Sequence, residues 1–222
     1  MQIRPESTVG SVATEHPLAT RVFSRHGIDF CCGGGRSLAD ACAQGGASLD
    51  TVLSELEREL QTDDADIRWD QQPLKALISH LLEDFHKPLR EELPRLLAMA
   101  QKVVRVHGDK DPERLNGVLD TLVALEAELM PHMEKEELIL FPMIASGQGA
   151  MAGGPVSVME AEHDVAGDLL RKMSQLTNAY TVPEAACNTW RALWVGLEAF
   201  ENDLHQHIHL ENNILFPGAL NS

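Results

Sequence analysis

The stretch that decides the fold reads His-Ile-His-Leu-Glu-Asn-Asn-Ile-Leu-Phe-Pro over residues 207–217. The same frame occurs earlier in the chain as His-Met-Glu-Lys-Glu-Glu-Leu-Ile-Leu-Phe-Pro over residues 132–142. In both copies a His is followed four residues later by a Glu, and Ile-Leu-Phe-Pro closes the stretch. Residues at i and i+4 of an α-helix project from one face, one turn apart. Each copy therefore predicts a metal-binding half-site on a helix.

Upstream of each copy lies one further His, three residues after a Glu: His86 follows Glu83, and His163 follows Glu160. We predict two helix pairs that together offer six ligands, namely His86, His132, Glu136, His163, His207 and Glu211. Structural zinc is usually four-coordinate and catalytic zinc takes three protein ligands, so six ligands fit two metals that share bridging carboxylates. Imidazole and carboxylate without thiolate favour iron or manganese, and the facing helices of a four-helix bundle can enclose such a centre.

Two other interpretations of these residues remain open. A single His-Glu pair is also typical of a solvated helix surface, although the duplication inside two apolar segments favours the metal site. The Glu-x-x-His spacing of Glu83 and Glu160 alternatively predicts ligation by these two carboxylates, as in ferritin-like proteins. Such a site would be rich in carboxylate and suited to the activation of oxygen.

Two glutamates are candidates for a catalytic role beside the ligands. Glu128 lies one helical turn before His132, and Glu162 directly precedes His163. A carboxylate next to a metal-bound imidazole can orient the ring or relay protons. We predict that Glu128 and Glu162 act in this way.

Composition restricts the partners and the location of the protein. The chain has 222 residues with 34 acidic and 18 basic side chains, a net charge of -16, so it should repel nucleic acid and anionic membrane surfaces. The N-terminus lacks the apolar core of a signal peptide, and no run of about 18 apolar residues occurs. The four cysteines give no disulfide framework of the secreted type. We expect a soluble, cytoplasmic protein that binds neither nucleic acid nor membranes.

Residues 1–62 predict a small N-terminal helical domain. Three short helices are expected, over residues 17–26, 38–43 and 49–60. Gly27 ends the first of them, and Ser37 and Ser48 cap the other two. Residues 62–66 are charged and lack periodicity, so they form the predicted linker.

Residues 70–222 predict an all-α, antiparallel four-helix bundle of up-down-up-down order. Apolar residues recur there at the three- and four-residue spacings of buried helix faces. The four helices are expected to start near Pro73, at Pro112 with Asp111 as its cap, at Pro155, and within residues 181–184, and the last is expected to end around Pro217. Pro88 and Pro131 each remove a backbone N–H next to a predicted ligand, so we expect the helix to kink or open at both.

The adjacent cysteines Cys31 and Cys32 precede three glycines in an irregular segment. Neighbouring side chains usually diverge, so chelation of one metal by this pair is the less favoured interpretation. Redox chemistry or contact with a partner is favoured instead. Cys42 and Cys187 fall in helical patterns and are expected to be buried.

Four motifs together carry a resemblance to a known family. They are Asp-Phe-Cys-Cys-Gly-Gly at residues 29–34, His-x-x-x-Glu at 132–136, Ser-Val-Met-Glu-x-Glu-His-Asp at 157–164, and His-x-x-x-Glu-Asn-Asn-x-Leu-Phe-Pro at 207–217. The chain resembles the repair-of-iron-centres family (the YtfE/ScdA/NorA group) over nearly its whole length. The resemblance implies a hemerythrin-like bundle with two iron ions in an oxo-bridged non-haem centre. It also implies two bridging carboxylates and the ligands His86, His132, Glu136, His163, His207 and Glu211.

The function that this resemblance implies is the repair of iron-sulfur clusters damaged by nitrosative and oxidative stress, with iron supplied to the cluster. Two alternatives stay open: an enzyme that reduces nitric oxide or nitrite at the irons, and a module that sequesters or senses nitric oxide or oxygen. The expected partners are damaged iron-sulfur proteins, with nitric oxide or oxygen as small ligand. A homodimer is one expected oligomeric state.

Overall fold

The computed structural model describes residues 3–61 and 67–222, so the predicted linker over residues 62–66 lies outside it. These described residues are largely helical, and their one pairing of β type is an isolated antiparallel bridge between Thr8 and Ser37. No helix within this part of the chain is both long and apolar enough to cross a membrane.

The elements follow one another in two groups. The α-helices are α1 (Val9–Glu15), α2 (Ala19–Arg25), α3 (Leu38–Gly45), α4 (Leu49–Glu59), α5 (Leu74–His80), α6 (Lys87–His107), α7 (Pro112–Lys135), α8 (Phe141–Ala145), α9 (Gly153–Thr177), α10 (Asn188–Leu210) and α11 (Phe216–Leu220). Three wider, π-helical turns continue helices without a break: π1 (Leu81–His86), π2 (Glu136–Leu140) and π3 (Glu211–Leu215). Single 3₁₀ turns occur at Trp69–Gln71 and Gly149–Met151.

The chain divides into two compact units. The first unit comprises Met1–Ser79, Met143–Gly154 and His205–Ser222, and the bundle unit comprises His80–Pro142 and Pro155–Leu204. The predicted division between residues 62 and 70 follows the sequence alone and stays a prediction.

The bundle unit contains four helical rods in up-down order, formed by α6, α7 and parts of α9 and α10. Each rod buries an apolar stripe with the three- and four-residue spacing that the sequence predicts. Representative buried residues are Leu93, Leu96 and Ala100 on α6, Leu115, Leu122 and Leu129 on α7, Met159, Ala166 and Leu170 on α9, and Trp190, Trp194 and Leu197 on α10. The all-α bundle predicted from the sequence is confirmed.

The first unit has its own apolar core, supplied by the four N-terminal helices and the segment between α2 and α3. Its members include Val9, Val12, Phe23, Phe30, Leu38 and Leu56. Helix α1, which the sequence patterns do not predict, contributes Val9 and Val12 to this core.

Several helix ends have the causes that the sequence predicts. The hydroxyls of Ser37 and Ser48 accept backbone N–H groups at the starts of α3 and α4, and Gly27 has a φ of 62° just after α2. Asp111 stands at the predicted N-cap of α7, but its side chain makes no cap hydrogen bond there. Its carboxylate instead accepts a hydrogen bond of 2.6 Å from Arg114 Nε.

Other predicted boundaries need correction. The third long helix begins at Gly153, two residues before Pro155, and α10 begins at Asn188 rather than within residues 181–184. The last rod also continues through π3 and α11 to Leu220, beyond its predicted end.

A proline follows each π-helical turn at the same distance. Pro88, Pro142 and Pro217 each stand two residues after the turn ends. The residue just before each proline donates its backbone N–H to the carbonyl five residues back: Lys87 to Leu82, Phe141 to Glu136 and Phe216 to Glu211. A proline cannot donate to the carbonyl four residues back and its ring clashes with that group, so a wider turn relieves the conflict.

The prediction of an opened helix is therefore right at Pro88 and wrong at Pro131. Helix α7 stays α-helical through Pro131 to Lys135, and the wide turn begins one residue later at Glu136. Pro142 lies at the position relative to π2 that Pro88 occupies relative to π1.

Within the first unit, the π3 turn is held against the N-terminal segment by Asn213. Its Nδ2 donates to the backbone carbonyls of Phe30 and Cys31, both at 3.3 Å. A Cβ atom added at Gly10 or Gly34 would lie 2.3 or 2.4 Å from Asn213 Oδ1. The two glycines therefore leave the space that this side chain fills.

We expect Gly34→Ala to lower the free energy of unfolding by about 1–3 kcal/mol, because the new methyl group displaces Asn213 from its hydrogen bonds. Gly35→Ala is the matched control, since no atom lies within 4 Å of a Cβ built there. Its effect should stay within about 0.5 kcal/mol. Urea unfolding of both variants and the parent measures the difference, and equal stabilities would contradict the close packing of Asn213.

Candidate metal centre

The bundle unit brings four of the predicted ligands together in its interior. His86 ends π1, His132 lies near the end of α7, Glu136 opens π2, and His163 lies on α9. All four side chains are buried, and Glu136 is 0% exposed. The apolar stripes of their helices continue through these positions, so the polar groups enter an otherwise apolar core.

The imidazoles of His86, His132 and His163 cluster around the Glu136 carboxylate. Glu136 Oε2 lies 3.4 Å from His86 Nε2 and 3.3 Å from His132 Nε2. His163 Nε2 lies 3.1 Å from His132 Nε2, and the ligand atoms of His132, Glu136 and His163 all fall within 4.8 Å of one another. A carboxylate buried among imidazole nitrogens is costly unless positive charge compensates it. This donor set fits a cation of the iron, manganese or zinc type.

The outer nitrogens of two imidazoles contact carboxylates. His86 Nδ1 lies 2.9 Å from Glu137 Oε1, which also accepts a hydrogen bond of 3.0 Å from Arg90. His132 Nδ1 lies 2.9 Å from Glu162 Oε2, and Lys135 donates to the other oxygen of Glu162. With Nδ1–H donating to a carboxylate, the tautomer is fixed so that Nε2 faces the cluster.

The cations beside these two carboxylates keep them ionised. Partial burial acts to raise the pKa of Glu137, but hydrogen bonds from His86 and Arg90 outweigh it, and the pKa lies below its ordinary value. Burial likewise opposes the hydrogen bonds from Lys135 and His132 at Glu162, whose pKa is also lowered. Each imidazole therefore has a negative acceptor on its outer side, which raises its basicity as a ligand.

The glutamates that the sequence singles out differ in their exposure and in their contacts. Glu162 contacts an imidazole, though it is the ring of His132 and not that of its neighbour His163. Glu128 is exposed, and no hydrogen bond to a ligand is present among the described residues, so its role stays a prediction. Glu83 and Glu160 are exposed too, which disfavours the ferritin-like alternative.

Glu137 is the residue that the sequence argument missed. Its neighbour Glu136 was singled out by the i, i+4 spacing, whereas Glu137 reaches His86 across to another helix. The only local feature of the sequence that could have indicated this contact is the position of Glu137 directly after the buried carboxylate of Glu136. Asn212 occupies the same position in the second copy of the motif.

In the first unit, His207 and Glu211 form the second predicted half-site. His207 Nε2 lies 3.0 Å from Glu211 Oε1, and both side chains are buried. Glu211 opens π3 as Glu136 opens π2, so the backbone around the two carboxylates is the same. The i, i+4 contact expected from the repeat is present in both copies.

His209 packs beside this pair with a different role. Its ring meets Phe30 edge to face at a centroid distance of 5.6 Å, and its Nδ1 lies 3.1 Å from Asn213 Nδ2. Burial lowers the pKa of His209 to about 4, so the ring is neutral near pH 7. His209 thus serves as a packing and hydrogen-bonding group of the first unit.

The Cys31-Cys32 segment of the first unit curls around the carboxylate of Asp29. Asp29 Oδ1 accepts backbone N–H groups from Cys31, Cys32 and Gly33 at 3.2, 2.9 and 2.9 Å. Burial acts to raise the pKa of Asp29, but these hydrogen bonds lower it on balance. A hydrogen bond with Cys32, burial and the nearby Asp29 charge raise the pKa of the Cys31 thiol well above its ordinary value.

The exposure of the cysteines departs in part from the prediction. Cys31 and Cys42 are buried, and Cys32 is half-buried. Cys187 is exposed, so its predicted burial is wrong, because α10 starts one residue later and leaves it outside the helix.

Known protein families match both parts of the chain. Residues 77–219 match the family described as hemerythrin HHE cation binding domain, and residues 5–60 match a domain described as being of unknown function (DUF542). The chain is 49% identical over 221 residues to the iron-sulfur cluster repair protein YtfE of Yersinia pseudotuberculosis serotype O:1b (strain IP 31758), with 99% of each chain covered. It is 48% identical to the protein of that name from Yersinia pestis (strain Pestoides F), with the same coverage. The cation-binding family and the buried His and Glu cluster together indicate metal binding.

Glu137→Gln should weaken metal retention by about 10–100-fold, because His86 loses its charged acceptor and the ring is no longer held in place. Glu134→Gln is the matched control, since Glu134 is exposed on the same helix end. Metal content after dialysis against graded concentrations of a chelator measures the affinity. Equal retention in the two variants would show that Glu137 does not support the ligand.

Proposed function

The chain belongs to the hemerythrin-like family of iron-sulfur cluster repair proteins, and we propose that it repairs clusters damaged by nitrosative and oxidative stress by supplying iron to them. Its targets are then iron-sulfur proteins that have lost iron. The observation that carries this proposal is the fully buried Glu136 carboxylate, with the Nε2 atoms of His86 and His132 at 3.4 and 3.3 Å. Such a group needs a cation, and its ligand set is one that releases iron more readily than thiolates do.

The iron centre would be held by six side chains. They are the six residues that the sequence repeat and the resemblance assign, namely His86, His132, Glu136, His163, His207 and Glu211. The two carboxylates would bridge two iron ions. When bound, the irons and their oxo bridge would supply redox chemistry and coordination positions open to nitric oxide or oxygen.

The prolines after π2 and π3 support a donor function. Pro142 and Pro217 cannot donate to the carbonyl four residues back, so they are compatible with the preceding wide turn, whose hydrogen bond reaches five residues back. Glu136 and Glu211 open these turns. We infer that turns of this kind hold the two carboxylates in place while iron is lost and regained.

The outer carboxylates support the same function. Glu137 and Glu162 are each about a quarter to a third exposed, at 31% and 24% of their side-chain surface, and each is paired with a cation at the surface. Each therefore connects a buried imidazole to solvent and, because it stays ionised, can stabilise the positive charge that the imidazole gains when a proton replaces its metal. The cytoplasm is the location we propose for this activity, and a homodimer stays a prediction from the sequence.

Replacing either proposed bridge should abolish the centre. Glu136→Leu and Glu211→Leu each remove a carboxylate that we assign to both metals, so iron content should fall well below two per chain and the visible absorption of an oxo-bridged centre should disappear. Mössbauer spectroscopy and metal analysis of the purified proteins measure both. Retention of two irons in both variants would contradict the bridging assignment.

Iron transfer tests the function itself. The diferrous protein, loaded with labelled iron, is mixed anaerobically with an apo-ferredoxin and sulfide, and we expect labelled clusters to form faster than from the Glu136→Leu protein with the same added iron. Failure to deliver iron or to accelerate rebuilding would contradict the proposal.

Excess nitric oxide distinguishes the alternatives: catalytic nitrous oxide would support a reductase, and a stable stoichiometric adduct would support a sequestering module.

A further inference from the structure

The side chains of Asp29, Cys31 and Cys32 in the first unit converge in a way that neighbouring residues seldom do. Their ligand atoms all lie within 4.8 Å of one another. The two Sγ atoms are 3.8 Å apart, and Cys31 Sγ lies 3.3 Å from Asp29 Oδ1. The expectation from sequence that the cysteine side chains diverge is therefore wrong.

These separations match a tetrahedral metal ion. Metal–sulfur bonds of about 2.3 Å at a tetrahedral angle hold two sulfurs about 3.8 Å apart. A metal–oxygen bond of about 2.1 Å places the oxygen about 3.6 Å from each sulfur. The two thiols are at the first spacing, and Asp29 Oδ1 is within a few tenths of an ångström of the second spacing from Cys31 Sγ. The ligand atoms of Asp29 and Cys32 lie within 4.8 Å of each other.

The fold builds this arrangement from two sides. The carboxylate of Asp29 draws three successive N–H groups around itself, which turns Cys31 and Cys32 towards each other. From the other side, Asn212 and Asn213 donate to the backbone carbonyl of Cys31, both at 3.3 Å. The segment is therefore held in shape, and binding a metal there costs little ordering.

From this geometry we propose that Asp29, Cys31 and Cys32 form a second metal site, which takes a thiophilic divalent cation and carries ferrous iron in transit to a damaged cluster. This site deepens the proposed function and rests on it for the identity of the cargo. Binding forms two metal–sulfur bonds and one metal–oxygen bond and releases two thiol protons to solvent. No electron is transferred, since the metal stays divalent and both sulfurs stay reduced.

Ligand number and exposure suit a transient site. Three protein ligands leave one tetrahedral position open, and Cys32 is only half-buried, so an incoming ligand can reach the metal. The cysteine thiolates of a cluster-binding apoprotein are ligands of the same class, and they can replace Cys31 and Cys32 one at a time.

Cobalt(II) tests the site directly in the full-length, iron-loaded protein under anaerobic conditions. We expect one equivalent of cobalt to bind with a thiolate-to-cobalt charge-transfer band, which histidine and carboxylate ligands do not produce. Cys31→Ala/Cys32→Ala should lose this band, and Cys42→Ala/Cys187→Ala should keep it. Absence of the band in the parent protein, or its survival in the first double variant, would overturn the site.

Iron content and helicity are measured in the same samples. The first double variant should retain two irons and the circular dichroism of the parent. Cys32→Ala alone gives the same test if the double variant does not fold, because Cys32 is half-buried and outside the apolar core.

The transfer assay separates this site from the proposed function. Transfer to apo-ferredoxin by the parent, slowed in the first double variant at unchanged iron loading, supports the transit site. Equal transfer rates in the two proteins overturn it and leave the donor function intact. A cobalt–thiolate band without any iron transfer by the parent would contradict the donor function while the metal site stands.

Discussion

The rest of the structure depends on the burial of one carboxylate. Glu136 has no exposed surface and faces imidazole nitrogens of His86 and His132, a placement that would cost several kcal/mol without compensating positive charge. Apolar residues of the bundle helices are buried around this group. A metal bound there would therefore stabilise the bundle unit, because its charge would compensate the buried carboxylate.

A proline follows each of the wide helical turns, and two of these turns begin at a proposed carboxylate ligand. A regular α-helix fixes side-chain directions at 100° intervals, and one extra residue in a turn changes all the directions that follow. Each of the three wide turns ends two residues before a proline, and Glu136 and Glu211 both open such a turn. The Phe-Pro that closes each copy of the motif therefore follows directly on a wide turn that begins at a proposed ligand.

Local spacing made most of the fold and of the candidate ligands predictable. The i, i+4 pairs and the apolar periodicity are short-range patterns, and the contacts of His132 with Glu136 and of His207 with Glu211 follow from them directly. Contacts between helices have no such signal, so the approach of Glu137 to His86 could not be found. The convergence of Cys31 and Cys32 depends on the turn around Asp29, and side-chain hydrogen bonds of that kind are decided by the folded loop.

Within the first unit, Asn213 connects the segment that carries Cys31 and Cys32 to the turn that carries Glu211. It lies two residues after Glu211, inside the turn that this carboxylate opens, and it donates to the carbonyls of Phe30 and Cys31. Asn212 adds a second hydrogen bond to Cys31. A change in the backbone of the thiol segment therefore acts on the turn that carries Glu211. Gly10 and Gly34 leave the space that the Asn213 side chain fills. The hydrogen bonds of Asn212 and Asn213 thus join the backbone of the thiol segment to the turn that carries Glu211.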